Sequence, residues 1–488
     1  MINPVLLSLT IAIYYALVFG VSRLRNRRLE NGEPTQVFIT APKETGWFTL
    51  SMSLLGTIVG GGMFIGVAQL GYEGGITPLA LGISYLMGSI MMGVLAGPVR
   101  RVLQARGVTT LFELFEVLYP TKGWVSFSGL FAIATLLVFF LMLAAQYVAI
   151  AIFLRFFWGV DLGHGILIVA AIVGGISIPL YIVTGGLRRD LITDCFQVVV
   201  ISIGVGLLLA RLSVNGASEH IKALPESYFH LGSGGFIFFV GSLFFVAPTF
   251  LVRFDLWQRI VTARTDEAAR FGFVLSGVLS FFFFGAFGLL GLSAKAEGLS
   301  SAQFAGLDII GLLTTDVTFP LVVIAFFAAV LSSADTFLNV ASISTARVVQ
   351  SVRRRARLAH AGTEFPNEKQ SDVSLRVVKV SAWMVALISM LFAFTLRDIV
   401  DLFASAFGLL IAFVPGLVGG LLKSTPPQKA ALWSSVVGVA TVFLLTFFVP
   451  REAFLPGIAL ATLTYLILSR MSGSKEPYET ANQSTAST

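Results

Sequence analysis

The stretch Gly56-Thr-Ile-Val-Gly60-Gly-Gly62-Met-Phe-Ile-Gly66 decides the fold, because it places five glycines among eleven residues of an otherwise apolar run. Glycine lets a backbone leave helical geometry. The run therefore predicts a membrane helix that is interrupted at its centre, where carbonyl oxygens are free for a cation and N–H groups for an anion. Close packing of helices also favours small residues and is the alternative explanation of these glycines.

The composition around this run is that of a polytopic membrane protein. Of the 488 residues, 56% are hydrophobic and 12% are charged, and the mean hydropathy of +0.88 is too high for a soluble chain of this length. A bilayer core needs about 20 apolar residues per helix, so we predict an all-α integral membrane fold with about thirteen transmembrane helices. The predicted spans lie near residues 3–22, 47–72, 77–97, 124–157, 164–183, 188–211, 234–252, 271–295, 317–346, 375–396, 398–422, 430–449 and 453–470.

The seventh span is predicted to be the second interrupted helix. Ser233-Gly-Gly235 opens it, Gly241-Ser242 lies near its middle, and Ala247-Pro248-Thr249 follows. Pro248 removes at least one backbone hydrogen bond. Two interrupted helices five spans apart are what an inverted repeat of five helices places at its centre.

A polar face is predicted inside the ninth span, at Ala329-Val-Leu-Ser332-Ser333-Ala-Asp335-Thr336. Ala329, Ser332, Ser333 and Thr336 follow the spacing i, i+3, i+4, i+7, which places them on one face of a helix. A carboxylate at mid-membrane depth costs about 2.5–3.5 kcal/mol, so it normally faces an ion, a partner or water. The pattern is typical of half of a cation site.

The arginines predict the orientation. If the loop after the first span is cytoplasmic, the arginine-rich segments at residues 23–28, 100–106, 188–189, 253–270 and 353–355 all fall inside. We therefore expect a protein of the plasma or inner membrane with the N-terminus outside and the C-terminus cytoplasmic, and Arg253 and Arg259 in a cytoplasmic loop. The net charge of +7 indicates contact with anionic membrane lipid and not with nucleic acid, since no basic stripe interleaved with aromatic residues occurs.

Four segments of the chain resemble the sodium:solute symporter family, the relatives of the sodium–glucose and sodium–proline cotransporters. They are Gly56–Gly66 with Gly71-Tyr72, Tyr181–Gln197, Trp257-Gln258-Arg259 with Ala263–Ala268, and Ala328–Asn339. The resemblance implies a LeuT-type fold of two inverted five-helix repeats, at about 47–211 and 234–422, with one extra helix before them and two after. It implies a single transmembrane transporter domain at residues 1–470, and we expect a disordered cytoplasmic tail at 471–488 because that segment is rich in Ser, Thr and Asn.

The resemblance also implies one or two sodium sites. The first would use the carbonyl oxygens of Gly56, Val59 and Ala329 and the hydroxyls of Ser332 and Ser333. Five oxygen ligands suit a hard monovalent cation such as Na⁺. The second would use Asp194, Asp335 and Thr336, although Asp335 stands where the family has a serine-like ligand. The two carboxylates would then bind sodium more strongly, or one would titrate, or Asp335 would pair with a nearby basic or polar group.

The predicted solute pocket is largely apolar. Positions that are polar in sugar-carrying relatives correspond here to Met63, Gly82, Tyr85 and Leu279, which disfavours a sugar. A small amino acid or organic acid fits better, bound by Ile58, Gly60, Gly61, Gly62, Met63, Gln146, Phe244, Phe245 and Thr249. A carboxylate would be held by free N–H groups around Gly60–Gly62.

The expected function is sodium-coupled symport of a small organic solute by alternating access, in a monomer or weak oligomer. The alternatives are a proton-coupled transporter of the same fold and a solute sensor that does not transport. An enzyme is disfavoured, because the four histidines have no paired spacing for a metal and no phosphate loop or nucleophile elbow is present.

Overall fold

The structure is a computed structural model that describes residues 4–26, 44–120, 125–158, 178–180, 186–244, 246–299, 301–361, 374–393, 399–423 and 426–472. These residues form helices joined by turns and loops, with one isolated bridge between Thr45 and Ala263. The predicted all-α fold is confirmed. The expected tail after residue 472 lies outside the described residues.

The helices are numbered here in chain order. They are α1 (Pro4–Asn26), α2 (Trp47–Ile58), α3 (Ala68–Gly74), α4 (Pro78–Ala105), α5 (Leu111–Leu118), α6 (Phe127–Trp158), α7 (Gly186–Val214), α8 (Ala217–Lys222), α9 (Phe236–Phe244), α10 (Val246–Thr249), α11 (Phe254–Thr262), α12 (Asp266–Ala296), α13 (Ala305–Leu313), α14 (Phe319–Ala361), α15 (Leu375–Ala393), α16 (Ile399–Ile411), α17 (Val414–Leu422), α18 (Gln428–Thr446) and α19 (Phe454–Ser472). A π-helix, Met63–Val67, precedes α3, and 3₁₀ segments lie at Glu226–Phe229 and Phe250–Val252.

Many of these helices are long and apolar enough to cross a membrane. The described residues contain nine such helices, and two bent helix pairs each pass the same test as one span. A shorter apolar helix, Val5–Gly20, lies within α1. Most of the predicted span at 164–183 lies outside the described residues. The number thirteen therefore stays a prediction, while the multi-pass character is confirmed.

The first interrupted helix is confirmed. Helix α2 ends at Ile58, the chain continues from Met63 to Gly74, and the two parts are bent by 63°. The glycines at the break also permit close packing. A Cβ atom on Gly60 would lie 2.6 Å from Ser333 Oγ, and one on Gly62 would lie 2.7 Å from a ring carbon of Phe403. Both explanations of the glycine run therefore hold, since the same residues break the helix and let its neighbours approach.

The second interrupted helix is present. A short α-helix, Val246–Thr249, and the 3₁₀ segment Phe250–Val252 lie around Pro248. The sharp bend comes later: the segment Phe236–Val252 and helix α11 are bent by 58°, so the chain turns at Arg253. Both Arg253 and Arg259 have buried side chains, and Arg259 lies on helix α11 and not in a loop. The expected cytoplasmic side of these two arginines stays a prediction. Arg253 is neutralised locally: its Nε and Nη2 atoms lie 3.1 and 2.6 Å from the carboxylate oxygens of Asp255.

The packing brings the break of α2 against three long helices. Helix α2 contacts α7, α12 and α14, and α14 also packs along α6 and α7. Helix α12 begins with a regular cap, in which Thr265 Oγ1 accepts the N–H of Ala268 at 3.0 Å, and it packs along α4. The polar residues of α7 and α14 therefore meet the broken end of α2 in the interior of the bundle.

Candidate ion and solute site

The broken end of α2 leaves carbonyl oxygens without their usual helical donors. In a continuous helix Gly60 N–H would donate to Gly56 and Met63 N–H to Val59. Here Gly60 N–H donates to Ile58 at 3.1 Å, and Met63 N–H donates to Gly60 at 2.9 Å. The carbonyls at this end also carry the negative end of the helix dipole, which favours a cation.

Two hydroxyls of α14 lie against this end of α2. Ser333 Oγ donates to the carbonyl oxygens of Gly56 and Thr57, at 3.0 and 3.2 Å. Ser332 Oγ donates to Asp194 Oδ1 of helix α7 at 2.5 Å. A Cβ atom on Gly56 would collide with Ser332 Oγ. The geometry thus favours glycine at position 56, and it joins α2, α7 and α14 at one point.

The five residues predicted for the first sodium site are all buried around this point. Gly56, Ser332 and Ser333 are in contact, while Val59 and Ala329 lie within one turn of them on the same two helices. The donor atoms are carbonyl and hydroxyl oxygens, which suit a hard monovalent cation and not a soft metal. The residues therefore fit Na⁺, although their role as ligands stays a prediction.

Three carboxylates and one arginine form a group beside this point, which we term the buried charge cluster: Asp190, Asp194, Arg259 and Asp335. Carboxylate oxygens of the three aspartates lie within 4.8 Å of one another. Arg259 Nη2 lies 3.6 Å from Asp190 Oδ2 and 3.9 Å from Asp194 Oδ2. Asp335 Oδ1 accepts the N–H of Thr336 at 2.7 Å. The residues predicted for a second cation site are thus brought together, with Asp190 and Arg259 added.

The hydrogen bonds of Arg259 connect four helices. Its Nη2 atom donates to Thr57 Oγ1 of α2 at 2.7 Å and to Thr336 Oγ1 of α14 at 3.0 Å. Its Nε atom donates to Ser53 Oγ at 3.2 Å, and Ser53 Oγ donates to Asp194 Oδ2 at 2.6 Å. The arginine of α11 is therefore part of one network with α2, α7 and α14.

Sequence reasoning missed four members of this network: Ser53, Thr57, Asp190 and Arg259. Signals for three of them were present in the sequence. Ser53 and Thr57 lie one turn apart and just before the break of α2, and Asp190 lies one turn before Asp194 on α7. Arg259 was part of the Trp257-Gln258-Arg259 segment of the family resemblance but was given no role at the site, because a charged residue after an apolar span looks like a loop residue in a hydropathy profile.

A cavity of about 120 Å³ lies next to the break of α2 and beside helices α9 and α10. It is lined by several residues of the predicted solute pocket: Ile58, Gly60, Gly62, Met63, Gln146 and Thr249. Ser333 lines it as well, so this serine borders both the cavity and the candidate cation site. Most of the remaining lining is apolar and includes Phe403 and Phe407 of α16. Phe245 and the side chain of Phe244 lie outside the described residues.

The expected free N–H groups at the break are only partly present. Gly60 N–H is bonded to Ile58, and Gly61 N–H donates to Gln146 Oε1 at 3.0 Å. The expectation of free amides is therefore wrong for these two glycines, because the irregular backbone pairs within the protein. Gln146 Nε2 has no hydrogen-bond partner among the described residues. Its N–H groups are therefore available to donate to a ligand in the cavity.

Two broken helices that meet around oxygen ligands and a cavity define a multi-pass membrane protein with a LeuT-type fold. The chain has a TM-score of 0.76 to a Na⁺-coupled sialic acid symporter solved in a substrate-bound outward-open state. This likeness covers 96% of this chain and 97% of that chain, at 14% sequence identity. It confirms the predicted fold.

Sequence comparison identifies the relatives. The model of the sodium:solute symporter family matches residues 38–226. The chain is 25% identical over 219 residues to the sodium/pantothenate symporter of Escherichia coli (strain K12), a match that covers 44% of each protein. It is 26% identical over 222 residues to sodium/glucose cotransporter 1 of Oryctolagus cuniculus, which covers 44% of this chain and 32% of the relative. The resemblance to the sodium:solute symporter family is confirmed. The matched stretches span less than half of these curated relatives, which are transporters and not enzymes.

Proposed function

We propose that the protein is a secondary active transporter that couples the entry of Na⁺ to the uptake of a small organic solute. The observation that carries this proposal is the contact of the Ser333 hydroxyl with the Gly56 carbonyl at 3.0 Å, at the break of a membrane helix. The names of the matched relatives, which include sodium symporters and cotransporters, support the same coupling ion.

The proposed sodium site uses Gly56, Val59, Ala329, Ser332 and Ser333. A cation there would attract the carbonyl end of α2 and the hydroxyls of α14 at the same time, and so hold the broken helix against α14. Because Ser333 and the neighbouring Ile58 also line the cavity, this closure would order the solute pocket. Sodium and solute thus favour the same conformation, which is the thermodynamic requirement for coupled transport.

The driving force is sufficient for concentrative uptake with a single ion. A tenfold sodium gradient together with a membrane potential of about 100 mV supplies about 3.7 kcal/mol, which corresponds to about 500-fold accumulation of a neutral solute. In the proposed cycle the site faces the outside when sodium is bound, occludes when solute arrives, and releases both on the side where sodium is scarce.

The solute we propose is a small amino acid or organic acid. A largely apolar lining would leave several hydroxyls of a sugar unpaired, and unpaired buried polar groups are costly. Gln146 Nε2 has no partner among the described residues and borders the cavity, so it can donate to a carbonyl or carboxylate oxygen. Relatives named for pantothenate and for glucose leave the solute class of this chain open.

We place the protein in the plasma or inner membrane with the N-terminus outside and the C-terminus cytoplasmic. The many exposed apolar side chains on the outer helices, among them Trp433, Phe443 and Leu463, support burial in lipid. The proposed working unit is one transmembrane domain in a monomer or weak oligomer.

The test is uptake by proteoliposomes. Labelled amino acids, organic acids and glucose are offered under an inward sodium gradient and under a matched potassium gradient, with empty liposomes as the control. We expect one acidic or amino-acid solute to accumulate in the sodium arm alone. Uptake driven by a pH gradient without sodium would instead support the proton-coupled alternative, and solute binding without uptake would support a sensor.

A further inference from the structure

Gln146 of helix α6 lies between the cavity and the break of α2, and the two ends of its amide group have different surroundings. Its Oε1 atom accepts the N–H of Gly61 at 3.0 Å. Its Nε2 atom has no hydrogen-bond partner among the described residues, although the side chain is fully buried and lines the cavity. A buried N–H group without a partner is costly. The geometry therefore indicates a ligand that offers an acceptor oxygen to Nε2.

The Oε1 end of Gln146 helps to form the break. In a continuous helix Gly61 N–H would donate to the carbonyl oxygen of Thr57. Gln146 Oε1 takes the place of that carbonyl as the acceptor, and the Thr57 oxygen accepts the hydroxyl of Ser333 at 3.2 Å instead. The Gln146 side chain thus holds the chain after α2 in a geometry that leaves the carbonyl end of α2 to the hydroxyls of α14.

A single glycine separates Gln146 from the candidate cation site. A Cβ atom on Gly60 would lie 2.6 Å from Ser333 Oγ and 3.1 Å from Gln146 Oε1. The two side chains therefore pack against the same residue, one from α14 and one from α6. A displacement of Gln146 would move Gly60 and Gly61, and with them the backbone against which Ser333 lies.

Two other polar side chains of the cavity are bonded within their own segments. Ser242 Oγ donates to the carbonyl oxygen of Phe239 at 3.0 Å, and Thr249 Oγ1 donates to that of Val246 at 2.6 Å. Their hydrogen atoms are therefore already used. Gln146 Nε2, in contrast, is free to donate to a solute.

We propose that Gln146 couples the solute to sodium: Oε1 positions the break for the cation, while Nε2 binds an acceptor oxygen of the solute. This inference rests on the proposed function, because it assumes that sodium binds at the break and that a solute binds in the cavity. A solute oxygen on Nε2 fixes the side chain, and with it the hydrogen bond to Gly61, in the geometry that sodium requires. Each ligand therefore raises the affinity for the other by the same factor.

The test is the effect of solutes on the equilibrium binding of radioactive sodium to the purified full-length protein. The probes are leucine, isocaproate and isoamylamine, which share one branched apolar tail. Leucine and isocaproate carry a carboxylate, whereas isoamylamine carries no oxygen. For the wild type we expect at least one of the two acids to raise the sodium affinity about tenfold, and the amine to leave it unchanged.

Two variants separate the two ends of the amide group. Gln146→Met keeps the length of the side chain and removes both polar atoms. Its sodium affinity without solute should fall about fivefold or more, because Gly61 N–H loses its acceptor, and the response to the acid should disappear. Gln146→Glu keeps an acceptor for Gly61 N–H but replaces Nε2 by an oxygen, which is ionised at about pH 8. Its sodium affinity without solute should be at least that of the wild type, with no response to the acid.

Ser242→Ala is the matched control, because it removes a cavity-lining hydroxyl that donates within its own helix. It should keep the wild-type sodium affinity and the response to the acid. Wild-type sodium binding that neither acid changes would overturn this inference alone, and so would a full response to the acid in folded Gln146→Met. If Gln146→Met does not fold, a full response in Gln146→Glu decides in the same way. Absence of any sodium binding to the wild type would overturn the proposed function and this inference together.

Discussion

Two groups of charged side chains, each built around one arginine, lie at different depths in the molecule. In the buried charge cluster Arg259 lies 3.6 and 3.9 Å from its two nearest carboxylate oxygens. In a second group, the peripheral charge cluster, Arg451 lies 3.1 Å from Glu73 and 3.0 Å from Asp401. The side chains of the peripheral cluster are 29–35% exposed, whereas those of Arg259, Asp190 and Asp194 are 0–6% exposed.

The comparison shows that the shorter ion pairs are the ones that solvent reaches. Water and salt screen the half-exposed pairs of Arg451, and such pairs contribute about 0.2–1 kcal/mol. The buried cluster is not screened. Its guanidinium reaches the carboxylates mainly through hydroxyls of other helices, such as Thr57 and Thr336. A network of this kind ties the positions of several helices to one another.

The two clusters also connect different parts of the molecule. The peripheral cluster joins the end of α3, at Glu73, to the start of α16, at Asp401, through the loop that carries Arg451. The buried cluster joins α2, α7, α11 and α14 beside the candidate cation site. We therefore expect changes in the buried cluster to alter ion binding and matched changes in the periphery to leave it intact.

The largest difference between the two clusters is expected when one carboxylate in each is neutralised. Asp194→Asn weakens the charge-assisted hydrogen bonds from Ser53 and Ser332, each worth about 1.5–3 kcal/mol, so sodium affinity should fall about ten- to hundredfold. Asp401→Asn is the matched change in the peripheral charge cluster. Its sodium affinity should stay within about twofold of the wild-type value, because a solvent-exposed ion pair contributes little free energy. Sodium titration followed by tryptophan fluorescence measures both. Equal losses in the two variants would remove the distinction between the clusters.

A smaller effect is expected from a single added methyl group. In Gly56→Ala the new Cβ meets Ser332 Oγ and lies 3.2 Å from Asp194 Oδ1. Overpacking costs about 1–3 kcal/mol, so sodium affinity should fall about fivefold or more. Gly206→Ala on α7 is the control, since no atom lies within 4 Å of the added Cβ. The same titration applies, and an unchanged affinity in Gly56→Ala would show that sodium binds elsewhere.

Much of the fold could be predicted because it depends on strong local signals. The glycine run Gly56–Gly66 predicted the first broken helix, and long apolar runs predicted the membrane helices. The sharp bend at Arg253 was not predicted, because it depends on a tertiary environment and not on a visible signal such as the proline at position 248. Arg253 is stabilised in the interior by Asp255 and by the rings of Phe250 and Phe407, 5.6 and 5.7 Å away. Hydropathy does not record such pairing.

The sequence predicted the proposed sodium site more fully than it predicted the buried charge cluster. Ser332, Ser333 and Gly56 follow from helical spacing, from the glycine break and from the family resemblance, and the structure places them in contact. The helical spacing of Asp190 from Asp194 was a signal that the sequence analysis did not use, whereas the position of Arg259 depends on contacts between residues far apart in the chain. The sequence pattern predicted free N–H groups at Gly60 and Gly61, but both groups are hydrogen-bonded in the folded protein.

The most direct test of the central claim, that sodium binds between the broken end of α2 and the hydroxyls of α14, is radioactive sodium binding to purified Ser332→Ala/Ser333→Ala protein. Ser344→Ala is the control, because Ser344 is a buried serine of the same helix whose hydroxyl donates to Val340 one turn back, at 2.8 Å. We predict saturable sodium binding to the wild type and to Ser344→Ala. We predict none to the double variant, which should still unfold at the wild-type temperature in potassium. Sodium binding of wild-type affinity in the double variant would contradict the account.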